Sequence, residues 1–175
     1  MILDLLRHGE VKGGRLYRGN QDDALTDKGW QQMLDSTEGK SWDVIFTSPL
    51  SRCCLFAQHL GKIQNTPCRI INAFEEIGFG DWQGLSAQTI GQQVVDAFKD
   101  NPVQNQPPGA ENLYAFETRV LHAFKHLVEQ HSAQSCLIVT HAGVIRVIKS
   151  YLLQRPIEKM FLINIPVASC EHFQV

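Results

Sequence analysis

The sequence has little net charge, no long apolar run and no paired-cysteine motif, and each shortage removes a class of protein. Sixteen Lys and Arg stand against 18 Asp and Glu, a formal charge of −2. Such a chain lacks the basic field that marks nucleic-acid binders, so an anionic ligand must be met by local arginines. The apolar start Met1-Ile2-Leu3-Asp4-Leu5-Leu6-Arg7 contains an acid and is followed by no small-residue cleavage site, unlike a secretory signal. No stretch reaches the roughly 20 apolar residues of a membrane span. The five cysteines (Cys53, Cys54, Cys68, Cys136 and Cys170) are an odd set without a C-x-x-C pair. They argue for reduced thiols in the cytoplasm and against a disulfide framework or a zinc site. There is no G-x-S-x-G, no P-loop and no cysteine with an arginine six residues on. His122 and His126 lie one helical turn apart, but no Glu follows His122 as a zinc-protease helix requires.

What is present suits one domain, residues 1–175, with an ordinary 43% apolar content. Strand patterns are read at Ile2–Leu6, Val44–Thr47, about Arg69–Phe74, Leu137–Thr140 and about Ala168–Val175. Helical patterns lie between them. One starts near Thr26 as cap, and a second at Ser48-Pro49, read as a cap and first turn. Others cover Ser86–Lys99, Glu111–Gln130 and Gly143–Leu153, the fourth carrying Leu113, Phe116, Val120, Phe124 and Leu127 on one stripe. Asn101–Gly109, with three prolines, reads as a surface loop. The alternation predicts an α/β fold, a three-layer sandwich whose mostly parallel central sheet is flanked by helices.

Four segments concentrate reactive side chains, three of them where a strand ends, the edge at which open α/β sheets bind ligands. Leu6-Arg7-His8-Gly9-Glu10 follows the first strand. Adjacent strand residues face opposite ways, so Arg7 and His8 converge only where the strand yields to a loop. Ser48-Pro49-Leu50-Ser51-Arg52 puts a cation in a first helical turn. That position already carries partial positive charge, an arrangement that makes sense with an anion between the two. Phe74-Glu75-Glu76-Ile77-Gly78 and the following Phe79-Gly80-Asp81-Trp82-Gln83-Gly84 offer two carboxyls, one of which could be a general acid, before a glycine-rich turn that Trp82 packs. Thr140-His141-Ala142-Gly143 sets a histidine beside the free N–H groups of a helix N-terminus. Singly, each admits a bland reading: a polar turn, a surface arginine, a solvated acid pair or a buried histidine. Together they describe one pocket for a phosphoryl group.

These blocks, with Tyr17-Arg18-Gly19 and Leu25-Thr26-Asp27-Lys28-Gly29, occur in the order found in the histidine phosphatase, or phosphoglycerate mutase-like, superfamily, which the chain resembles along nearly its whole length. Within it the pattern is most similar to the α-ribazole phosphatases of cobalamin assembly. The resemblance implies roles. His8 is the histidine that becomes phosphorylated, and Glu76 is the proton donor with Glu75 as fallback. Arg7, Arg52 and His141 hold phosphate oxygens, while Arg18, Gly19 and Ala142 touch phosphate or substrate. It also implies a metal-independent enzyme without a cofactor, a small phosphomonoester as substrate and inorganic phosphate as product, with no nucleic-acid or membrane partner.

The chain departs from the pattern in places. The loop Asn of many relatives, six residues beyond the nucleophile, is Gly14 here, with Asn20 or Lys12 as substitutes. Gly109-Ala110-Glu111-Asn112 replaces Gly-Gly-Glu-Ser, and Glu111 reads as a helix-start residue. Mutases of the superfamily carry several basic residues after the W-x-G motif, whereas Leu85 to Tyr114 holds only Lys99. This favours a phosphatase, α-ribazole-specific or broad, over a mutase. The presence of all five expected groups disfavours a non-catalytic phospho-ligand module.

Overall fold

A computed structural model describes residues 1–175. The strand patterns become β1 (Ile2–Arg7), β2 (Val44–Thr47), β3 (Cys68–Ile70), β4 (Ser135–Thr140) and β5 (Cys170–Gln174). They form one sheet in the order β3-β2-β4-β1-β5, parallel except for β5. Helices α1 (Asp27–Thr37), α2 (Ser51–Gln64), α3 (Ala87–Ile90), α4 (Gln92–Asp100), α5 (Leu113–Gln130) and α6 (Ala142–Leu152) complete the chain.

The period of two in the strands decides the layers. Leu3, Leu5, Val44, Phe46, Cys136 and Ile138 face a core shared with α4, α5 and α6. Their neighbours Leu6, Ile45, Leu137 and Val139 face a smaller core built on Met33 of α1 and Phe56 and Leu60 of α2. This is the expected three-layer sandwich. No helix is long and apolar enough to cross a membrane.

Several boundaries differ from expectation. β3 ends at Ile70, and Asn72–Phe74 turns as a 3₁₀ helix whose Phe74 carbonyl accepts from Thr140 Oγ1 at 2.9 Å. The Ser86–Lys99 pattern breaks into two helices at Gly91, whose φ of 102° suits only glycine. α2 starts at Ser51 rather than at Ser48-Pro49. Its cap comes from another segment, since Asp22 Oδ1 accepts from Ser51 N at 2.8 Å and Ser51 Oγ at 2.7 Å. Thr26 caps α1 as read, accepting from Gly29 N at 2.9 Å. α5 begins after Asn112, which accepts from Tyr114 N and Ala115 N.

Candidate active site

Register places the two histidines. β1 and β4 are adjacent and parallel, with Arg7 opposite Thr140, and His8 N donates to Thr140 O at 3.0 Å. The residues that follow, His8 and His141, therefore leave the sheet side by side, with ring centroids 5.3 Å apart. The chain after β1 goes to the α1 side and the chain after β4 to the α6 side, so a crevice opens between them. β2 flanks β4 on its other edge, with Thr47 opposite Val139, and brings Ser48 to His141.

His8 is 9% exposed, and its Nδ1 lies 2.9 Å from the Gly9 carbonyl. A carbonyl can only accept, so Nδ1 carries the proton and Nε2 holds the free lone pair of the neutral ring. Burial, then the charge of Arg52, pulls its pKa down to about 3, against a smaller upward pull from Gly9. The arginines named from sequence thus help keep His8 neutral, but desolvation is the larger cause.

Arg52 is buried and fixed along its whole head. Nη2 donates to Gly19 O at 2.8 Å, Nη1 to Gln21 O at 2.6 Å, and Nε to His141 Nδ1 at 3.2 Å. Because that guanidinium donates, His141 Nδ1 accepts and Nε2–H donates to Ser48 Oγ at 2.7 Å. A phosphate contact from His141 requires this N–H to exchange the Ser48 hydroxyl for a phosphate oxygen. Burial first, and Arg52 second, hold the His141 pKa well below its ordinary value. Cys53 Sγ lies 3.7 Å from His141 Nε2, and burial pushes the thiol up, so it packs as a protonated small group. Arg7 Nη1 donates to Ile165 O at 2.6 Å, while its buried Nε has no partner. No carboxylate reaches salt-bridge distance of Arg7 or Arg52.

Of the two acids, Glu76 points into this site. Its Oε1 accepts from Ile77 N at 3.0 Å and its Oε2 from Gly143 N at 3.1 Å. The α6 N-terminus, read from sequence as an anion site open to phosphate, thus has its Gly143 N–H engaged by the carboxylate of Glu76. Any side chain at Gly143 would overlap Glu76 Oε1. Both acids line an adjoining polar cleft of about 460 Å³ with Asn20, Gln83 and Glu111, and of the two it is Glu76 that bonds Gly143 N.

The remaining sequence candidates sit around this centre. Arg18 ties its loop together, with Nε on Asp23 Oδ2 at 3.0 Å and Nη2 on the carbonyls of Lys12 and Gly14, both at 2.6 Å. Its charge still reaches His8. Gly19 serves through its carbonyl on Arg52, and Ala142 is the buried first residue of α6. Asn20 and Lys12 are exposed. Trp82 packs edge-on to Tyr17 and Phe98, as expected of a residue that closes the turn.

Sequence reading missed Arg146. It lies one turn beyond Gly143 on α6, with Nε donating to Ile163 O at 2.9 Å; burial lowers its pKa, the nearby Glu76 charge opposes that, and its own charge adds to burial in pulling the Arg7 pKa down. Its signal was a single charge inside the apolar run Ala142-Gly143-Val144-Ile145-Arg146-Val147-Ile148. Ser48 and Asp22 were missed as well, because their partners come from distant segments.

Neutral imidazole, guanidinium groups without carboxylate partners and one aimed carboxylate at a strand-end crevice define a phosphoryl-transfer enzyme. The chain belongs to the Histidine phosphatase superfamily (branch 1), whose profile matches residues 3–175. It is a phosphohistidine-type hydrolase of small phosphomonoesters. It is 30% identical over 173 residues to the adenosylcobalamin/alpha-ribazole phosphatase of Escherichia coli, covering 92% of this chain and 83% of that one. It is 25% identical over 167 residues to phosphoserine phosphatase 1 of Hydrogenobacter thermophilus, covering 91% and 79%. The crystal structure of the alpha-ribazole phosphatase of Shigella flexneri superposes with a TM-score of 0.82 at 28% identity, over 98% of this chain and 89% of the other.

Proposed function

We propose that His8 attacks phosphorus through Nε2 and that the chain hydrolyses α-ribazole 5′-phosphate in the assembly of the cobalamin nucleotide loop, in the cytoplasm. The observation that carries the chemistry is a buried histidine held neutral, its Nδ1–H fixed on Gly9 O, beside two arginines with no carboxylate partner. Arg7 and Arg52 bind the phosphoryl oxygens, His141 joins them through Nε2–H, and Glu76 protonates the leaving oxygen. The P–O bond to the leaving group breaks as the Nε2–P bond forms. Glu76, now a carboxylate, then takes a proton from the water that attacks phosphohistidine and releases inorganic phosphate. The fixed cations stabilise the transition-state charge, so the reaction needs no divalent metal.

His8→Ala is expected to lose turnover while keeping its melting temperature, and near-normal hydrolysis by it would remove the nucleophile assignment. Activity is expected to survive EDTA; a loss restored by a divalent cation would refute the metal-free mechanism. The substrate assignment is supported by likeness to the Escherichia coli enzyme. In a panel including 3-phosphoglycerate, phosphoserine and p-nitrophenyl phosphate, α-ribazole 5′-phosphate is expected to show the highest kcat/KM, with no mutase interconversion of 3-phosphoglycerate.

Arg146 favours a second reading. A guanidinium within the field of Glu76 and without a carboxylate partner suits an acidic leaving group. Under that reading phosphoserine outranks α-ribazole 5′-phosphate, and Arg146→Gln selectively lowers the rate on phosphoserine.

A further inference from the structure

The backbone that carries Glu76 is irregular. After the 3₁₀ turn Asn72–Phe74 the chain is extended at Glu75 (φ −61°, ψ 148°) and belongs to neither sheet nor helix. Its carbonyls must find partners elsewhere. Arg119, inside α5, supplies them. Nη1 donates to Ala73 O at 2.7 Å and to Glu75 O at 2.9 Å, and Nη2 donates to Glu76 O at 3.3 Å. The other edge of the guanidinium forms a two-pronged pair with Glu111, Nε to Oε1 at 2.7 Å and Nη2 to Oε2 at 2.9 Å. All five N–H groups of Arg119 are thereby used. Glu111 grips the same segment two residues on, with Oε2 accepting from Gly78 N at 3.2 Å and its own N donating to Gly78 O at 2.9 Å.

We propose that Arg119 and Glu111 are positioning residues that hold the peptide of Glu76 from both sides and thereby aim its carboxyl at the leaving oxygen. This rests on Glu76 being the proton donor. The argument is geometric. The carboxyl end of Glu76 is fixed by Ile77 N and Gly143 N, so its aim depends on where its own main chain sits. The Arg119 fork, with Glu111, fixes that main chain at residues 73, 75, 76 and 78. A lysine could not replace it, because an ammonium has three donors and no planar fork. An error of about 1 Å in such a group costs on the order of 10²-fold in rate.

A purely structural brace and an aiming brace differ in one readout. Protonation of the leaving oxygen matters for an alkyl phosphate and hardly at all for p-nitrophenyl phosphate, whose leaving group is stable as an anion. The experiment measures kcat/KM for glycerol 3-phosphate and for p-nitrophenyl phosphate in Arg119→Lys, Glu111→Gln and Glu76→Gln. Inhibition by inorganic phosphate serves as the gauge of the phosphate pocket. Arg119→Lys and Glu111→Gln are expected to lower kcat/KM on the alkyl ester about 10–100-fold. The aryl ester and the phosphate inhibition constant stay near wild type. Should Arg119→Lys fail to fold, Glu111→Gln, which keeps the guanidinium, carries the comparison alone. Equal losses on both esters, or no loss on either, while Glu76→Gln is selective for the alkyl ester, overturn the aiming role. If Glu76→Gln is itself unselective, the proton-donor assignment falls and the aiming role with it.

Discussion

The proposed phosphate side and the proposed acid side of the crevice use arginine in opposite ways. Arg52 is 1% exposed, held by two carbonyls and a histidine nitrogen, and meets no carboxylate. Arg119 is as thoroughly bonded, but two of its five donors go to Glu111. Neutral acceptors orient a guanidinium and leave its charge available to an incoming anion, whereas a carboxylate cancels that charge and turns the pair into a brace. On this reading the first region supplies field and the second supplies aim.

The comparison can be broken at its strong end first. Arg52→Gln is expected to lower kcat/KM about 10³-fold for every phosphomonoester, because the lost charge acts on the phosphoryl group common to all of them. A loss confined to esters with poor leaving groups would erase the distinction between the two sides. Gly143→Ala is the counterpart on the acid side. The added methyl would overlap the Glu76 carboxyl and press on the Phe116 ring, both of them side chains rather than backbone, and so displaces the carboxyl from its two N–H partners. The loss is expected to be about 10–100-fold on an alkyl phosphate, small on p-nitrophenyl phosphate, with the melting temperature nearly kept. A large fall in melting temperature, or equal losses on both esters, would contradict it.

Acid unfolding sharpens the phosphate side. The unfolded chain protonates its histidines near the ordinary value of about 6.5, while folded His8 resists down to about 3. Between those values the unfolded state binds more protons, so stability falls as pH falls, by up to about 1.4 kcal/mol per unit for each such histidine. His141 acts in the same direction. His8→Asn is therefore expected to flatten the pH dependence of the urea midpoint between pH 6 and pH 4, and an unchanged slope would contradict a buried neutral His8. The smallest effect concerns the approach of Arg52. Asp22→Ala removes the cap of α2 and is expected to cost about 1 kcal/mol, lowering the melting temperature by about 2–4 °C with little change in kcat.

The sequence made the layers and the central groups legible because those depend on local pattern. The apolar run Ile2–Leu6 announced the first strand, and strand-end positions marked Arg7, His8 and His141. What stayed hidden depends on contacts between distant segments. Ser48 looked like a cap because a serine precedes a proline, yet the first residue of α2, Ser51, is held by Asp22, 29 residues before it, and Ser48 accepts from His141. Glu111 was read as a helix-start residue, and nothing nearby in sequence announces that its partners are Arg119 and Gly78. The choice between Glu75 and Glu76 also needed three dimensions, since only the approach of α6 shows which carboxyl meets Gly143 N.

The pairing of Arg7 with Thr140 has a consequence for how this catalyst can change. His8 and His141 are spaced by the ladder between two central strands, so substitutions in the surrounding loops leave their separation untouched. Evolution or design can vary what enters the crevice from the loops, but the distance between His8 and His141 changes only if the sheet itself shifts. A slip of one residue would turn every core side chain of a strand outward. The spacing of the two histidines is thus tied to the same register as the hydrophobic core, and new substrates would be acquired around it.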